Sequence, residues 1–144
     1  MKIRLQYPAS PANAADHAEI AVKVTGEQRG AELDFSRESL AVLDDVIESM
    51  REEGLDGEEA AEILFVFGCY LGEVMVRQLG GSWTPTPRSP LRDLSPWPMV
   101  VTLGDGSAWD TIGKVYKRLE LGDSEYVPAF FEWAARGRSG GAKR

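Results

Sequence analysis

The stretch EEAAEILFVFGCYLGEVMVRQLGGSW, residues 58–83, constrains the fold of this chain more than any other. Its apolar residues do not form a stripe. They fall on nearly every side of a helix drawn through positions 58–79, and a helix apolar all round has to be buried. Gly80-Gly81 supplies a natural C-terminal stop. The length of 144 residues suits one domain with a substantial core. The expected architecture is therefore α+β. Four or five helices pack around the buried helix 58–79, a small antiparallel sheet forms from residues 82–103, a single globular domain spans 1–136, and a flexible basic tail covers 137–144.

Within the central helix, Gly68 and Gly72 lie four apart on one face. Each interior glycine costs about 1 kcal/mol relative to alanine. Close approach of a neighbouring element is the expected compensation. Upstream, Ser10-Pro11 reads as a helix start, with Ala14, Ala18 and Ala21 at helical spacing and a stop between Gly26 and Gly30. A second helix opens at Ser36 as N-cap and carries the apolar stripe Leu40, Leu43, Val46, Ile47 and Met50. Asp56 and Glu59 form a capping box before the central helix. The short connection predicts that the second and third helices pair as an antiparallel hairpin.

Downstream, residues 84–98 (TPTPRSPLRDLSPWP) hold five prolines and read as an extended, semi-rigid loop, either a functional segment or a packed connector. Met99–Leu103 reads as a strand that can pair with Trp83-Thr84, and Gly104-Asp105-Gly106 as its turn. A fourth helix follows Trp109-Asp110. It is expected to bury Ile112, Val115, Tyr116 and Leu119 and to turn Lys114, Lys117 and Arg118 outward. The last helix carries Val127, Phe130, Phe131 and Ala134, with Pro128 in its first turn.

Taken in order, LDFSRESL at 33–40, GCYLGEVMVRQLGGSW at 68–83, a hydrophobic strand and VYKRLELGDSEYVPAFF at 115–131 resemble a set of small bacterial proteins that share a domain of unknown function. The resemblance spans about residues 33–133. It implies an α+β domain and no particular activity. The proline-rich segment between Trp83 and Met99 departs from that pattern.

Charge is distributed unevenly. Residues 1–83 carry 16 acidic and 7 basic side chains, and residues 84–144 carry 7 and 9. The acid concentrated between Asp44 and Glu62 reads as a solvated helix face or as a docking surface for a basic partner. Either way it repels phosphate, which disfavours nucleic acid as a partner. Cys69 is the only cysteine, so no intrachain disulfide can form, and a reducing, cytoplasmic setting is expected. It reads as a small buried hydrophobe. The start MKIRLQYPAS lacks the apolar run of a signal peptide, and the uncharged run Ile63–Gly72 is only ten residues, too short to span a bilayer.

Few residues could carry chemistry. His17 is the only histidine and is expected at the surface beside Asp16 and Glu19, away from any nucleophile. No metal-ligand cluster, phosphate cradle or cofactor motif stands out. The one constellation with chemical promise is Tyr70, Glu73 and Arg77, at i, i+3 and i+7 on the central helix. It reads as a buried ion pair with a tyrosine beside it, or as a polar pocket in which Glu73 anchors a ligand or moves a proton. Trp83 is the neighbouring candidate. Trp97, between two prolines, is the candidate for an exposed aromatic that anchors a partner. The expected function is thus non-enzymatic: an acidic cytoplasmic bacterial interaction or regulatory protein, an immunity-like protein being one form, with no catalytic residue, no metal and no cofactor. The partner is another protein or a second copy, with neither nucleic acid nor membrane involved. The alternatives are a small-molecule binder or enzyme built on Tyr70, Glu73 and Arg77, and an obligate homodimer with a structural role.

Overall fold

A computed structural model describes residues 3–137 and the backbone of 142–143. Five helices run in chain order: α1 Ala14–Arg29, α2 Ser39–Glu52, α3 Ala61–Leu79, α4 Thr111–Leu121 and α5 Val127–Ala135. Strands β1 Ser82–Pro85, β2 Met99–Thr102 and β3 Ala108–Trp109 form an antiparallel meander inserted between α3 and α4. A two-residue strand, Ala142–Lys143, lies parallel to β3. The fold is α+β, and Trp83 pairs with Val101 as the β1–β2 reading requires. Apart from Gly137 and this short strand, the expected basic tail lies outside the described residues.

α3 starts at Ala61, not at position 58. The capping box forms, with the Asp56 N–H donating to Glu59 Oε1 at 3.2 Å and the Glu59 N–H to Asp56 Oδ1 at 2.9 Å, but it closes a turn that precedes the helix. Every residue from Ile63 to Met75 is buried. Gly80 ends the helix at φ +75°, in the left-handed region that favours glycine. The two interior glycines are where neighbours come closest. A Cβ on Gly68 would sit 2.5 Å from Ile112 Cα of α4, and one on Gly72 would sit 2.2 Å from the Trp83 ring. Two helices and a strand are brought together at distances no other side chain permits.

α1 lies against α3 through the small stripe Ala14, Ala18 and Ala21, and it runs past Gly26 to stop only at Gly30. The expected α2–α3 hairpin does not dominate the packing: α2 lies mainly on α4 and α5, whereas α3 lies on α1 and α4. The short connection sets chain direction only. The apolar stripe of α2 finds its partners in elements some 70 residues further on. Met99, Val101 and Trp109 join the main core, while Leu91, Val100 and Ala108 make a small second cluster under the proline-rich loop.

Candidate functional site

Tyr70, Glu73 and Arg77 do meet, on the side of α3 covered by Trp83 and by residues 34–39. Glu73 is 7% exposed. Its Oε1 accepts from Arg77 Nε at 3.2 Å, and its Oε2 from the Trp83 indole N–H at 2.9 Å. The ring that Gly72 admits is therefore the ring that holds the Glu73 carboxylate. Arg77 lies over the Phe35 ring, with its guanidinium carbon 3.7 Å from the centroid, and reaches Glu19 of α1 at 4.0 Å.

Phe35 is the non-glycine residue with positive φ among those described, at +65°. A bulky side chain rarely occupies that region, and its surroundings must hold it there. They do so from three sides. The Phe35 N–H donates to the Tyr70 hydroxyl at 2.8 Å, the Phe35 carbonyl accepts from Gln78 Nε2 at 3.1 Å, and the ring lies between Tyr70 and Arg77. Ser39 Oγ gives its hydrogen to the Ser36 carbonyl at 2.6 Å, so the Tyr70 hydroxyl donates to Ser39 Oγ, also at 2.6 Å. Burial pushes the Tyr70 phenol above its ordinary value, against the pull of these hydrogen bonds. Every polar atom of Tyr70 and both oxygens of Glu73 thus face partners inside the chain. The cluster fastens residues 34–39 and β1 to α3.

Trp97 is half-buried, not a projecting anchor. It stacks on Tyr116 of α4 with centroids 4.5 Å apart, and the Tyr116 hydroxyl donates to the Ala61 carbonyl at 3.0 Å. The rest of the proline-rich loop is tied down as firmly. Thr86 donates its hydroxyl to the Trp97 carbonyl at 2.6 Å and its N–H to the Pro98 carbonyl at 3.1 Å, which closes the loop at its base. Ser89 Oγ accepts from the Leu91 N–H at 3.0 Å, and Leu91 is fully buried. Leu94, by contrast, is 52% exposed, next in the chain to the exposed Arg92 and Asp93.

Three further expectations need correction. His17 is buried, not at the surface. Its Nε2 lies 2.9 Å from the Pro8 carbonyl, and its ring is edge-on to Phe65 and Tyr7. Small alanines bring α1 so close to α3 that position 17, one turn from Ala14 and Ala21, faces inward. Lys114 and Arg118 do not face solvent either, being 7% and 3% exposed. Arg118 makes a bidentate pair with Asp44 (2.9 and 3.1 Å) and a third bond to Glu48 (2.9 Å). Asp44 Oδ1 also accepts from the Val127 N–H at 2.9 Å, at the start of α5. Lys114 pairs with Glu125 at 2.8 Å. Burial opposes the Arg118 charge, but the two carboxylates outweigh it and raise the pKa above the ordinary value.

The acidic segment keeps most of its charge at the surface, with Asp44 buried, Glu48 half-buried and the remaining carboxylates exposed, some of them already bonded. Asp44 and Glu48 serve Arg118, Glu53 pairs with Arg29 at 2.7 Å, Glu59 caps a turn, and Glu62 accepts from the Leu5 N–H. Cys69 is fully buried, and burial raises its thiol far above the ordinary value, which suits the reading of a packing residue. Among the described residues no group of three or more His, Cys, Asp or Glu side chains could hold a metal ion, and no helix is long and apolar enough to cross a membrane. Comparison with protein-family models, with curated proteins and with solved structures finds no match to this chain.

Proposed function

We propose that this is a non-enzymatic bacterial interaction protein that works in the cytoplasm and presents the outer end of the 86–98 loop to another protein. The observation that carries this reading is the division of labour inside the loop. Leu91 and Trp97 turn inward and Thr86 closes the base, which leaves Leu94 exposed next to the exposed Asp93 and Arg92. A loop ordered in advance loses little conformational entropy on binding, the main cost that a flexible loop would meet. An isolated exposed leucine is ordinary on a surface; one at the tip of a loop tied along its whole length fits a pocket on a partner. The internal partners of Tyr70 and Glu73 support the non-enzymatic half of the reading. The lone buried thiol suits a reducing compartment.

The test uses the tagged full chain in its own host. Leu94→Asp is expected to leave the thermal melt within about 1 °C of the parent, because the residue is exposed. It is expected to abolish recovery of the co-purifying protein. Undiminished recovery by Leu94→Asp would refute the loop as the docking element.

A further inference from the structure

The two ring nitrogens of the buried His17 have unequal surroundings. Nε2 lies 2.9 Å from the Pro8 carbonyl, which can only accept, so Nε2 carries the hydrogen of the neutral ring. Nδ1 is then an acceptor, buried and without a hydrogen-bond partner among the described residues. A second proton has one place to go, which is Nδ1. There it would bury an N–H that has no acceptor, together with a positive charge.

Nothing packed against the ring offsets that charge. Residues 7–8 bring the Tyr7 phenol, with ring centroids 5.9 Å apart, and the Pro8 carbonyl; α3 brings the Phe65 ring, 4.9 Å away. Of these only the phenol titrates, and phenols as a class hold their proton throughout the acid range. The carboxylates of the same elements, Asp16 and Glu19 on α1 and Glu62 at the start of α3, are exposed, as are the cations Arg4 and Lys23.

The bond from His17 also fastens the start of the chain. Residues 3–8 have no regular secondary structure. Ile3 and Leu5 rest on the main core, the Leu5 N–H donates to Glu62 Oε2 at 3.2 Å, and Pro8 is held by the His17 ring. A cleft of about 560 Å³ runs between residues 3–7 and α1. The segment is therefore not packed flush against that helix and can lift while the helices stay together.

We propose that residues 3–8 are a strap that the neutral ring of His17 holds down and that acid releases. Lifting the strap gives Nδ1 access to water and opens the cleft along Ile20 and Val24. The device is independent of the 86–98 loop. Its size follows from linkage. A histidine in water takes its second proton at about pH 6.5, and only the released strap admits that proton, so release is favoured about 1.1-fold at pH 7.5 and about 11-fold at pH 5.5. The released form binds more protons, so the hold is complete well above that value and is lost as the pH falls through it.

Tryptic cleavage after Arg4 of the full chain, followed by mass, tests the proposal. Dividing its rate by that of the free peptide of residues 1–9 at the same pH removes the protease's own pH dependence. When opening and closing outpace cleavage, the ratio tracks the released population. The ratio is expected to rise about tenfold from pH 7.5 to pH 5.5. His17→Gln keeps an N–H for the Pro8 carbonyl but takes no proton, and its ratio is expected to stay flat. Glu62→Gln keeps an acceptor for the Leu5 N–H and is expected to retain the tenfold rise. A flat ratio in the parent chain overturns the proposal, as does a rise of the same size in His17→Gln. Should His17→Gln not fold, nitrogen NMR of the parent's imidazole decides: the rise must follow the appearance of the imidazolium, and a rise centred at a different pH overturns the strap.

Discussion

The Asp44–Arg118–Glu48 cluster and the Glu73–Arg77–Trp83 cluster use the same groups in opposite settings. In the first, both Arg118 and Asp44 are at least nine-tenths buried, and the bonds tie α2, α4 and the start of α5 together across 74 to 83 positions of sequence. In the second, the carboxylate is buried but the arginine side chain is 42% exposed, and the ion pair spans one helical turn. If its partner is removed, Arg77 can turn to water, whereas Asp44 has nowhere to go. The difference shows that an ion pair's structural weight depends less on its distance than on where each member could retreat.

The largest expected effect follows from that difference. Arg118→Ala leaves Asp44 buried without its cation and should lower the stability by about 3–5 kcal/mol, measured by urea denaturation. A loss under 1 kcal/mol would mean that the two clusters are equivalent after all. Gly72→Ala probes the second cluster through the Trp83 ring. The added methyl must displace the Trp83 ring and with it the indole bond to Glu73, at a cost of about 1–3 kcal/mol. Combined with Trp83→Ala, the two losses should not add, and full additivity would separate the glycine from the tryptophan. The smallest effect is expected from Glu73→Gln, about 1 kcal/mol in the same measurement, because the Arg77 it releases can turn to water. A larger loss would show that the Glu73 charge holds more of the cluster than the exposure of Arg77 allows.

Much of the second cluster was legible in advance, for a physical reason: it is local. Tyr70, Glu73 and Arg77 share a face because a helix repeats every 3.6 residues, and Gly68 and Gly72 flagged close neighbours because an uncompensated glycine costs helix stability. What those neighbours were, Ile112 and Trp83, needed the folded chain. The first cluster was illegible because Asp44 and Arg118 each sit in an amphipathic helix where a charge beside the apolar stripe reads as solvent-facing. Only the approach of a second charged helix reverses that. Trp97 was misplaced for a related reason. Two flanking prolines describe a backbone and say nothing of Tyr116, which comes from another element and covers the ring. Phe35 gave no signal at all: its backbone conformation is imposed by Tyr70, Gln78 and Arg77, all more than 30 positions away.

By itself the amino-acid sequence determined the helices and the glycine stops of α1 and α3, the α+β class, the β1–β2 pairing and the burial of residues 63–75, since each follows from periodicity, turn chemistry or the cost of wetting apolar surface within one segment; the N-caps expected at Ser36 and Asp56 fall before the helices they were to open. Tertiary structure alone decided which helix lies on which, the burial of His17, Lys114 and Arg118, and the inward turn of Trp97. These depend on contacts between segments far apart in sequence, where a charge or an aromatic ring takes its role from what the other segment brings to it.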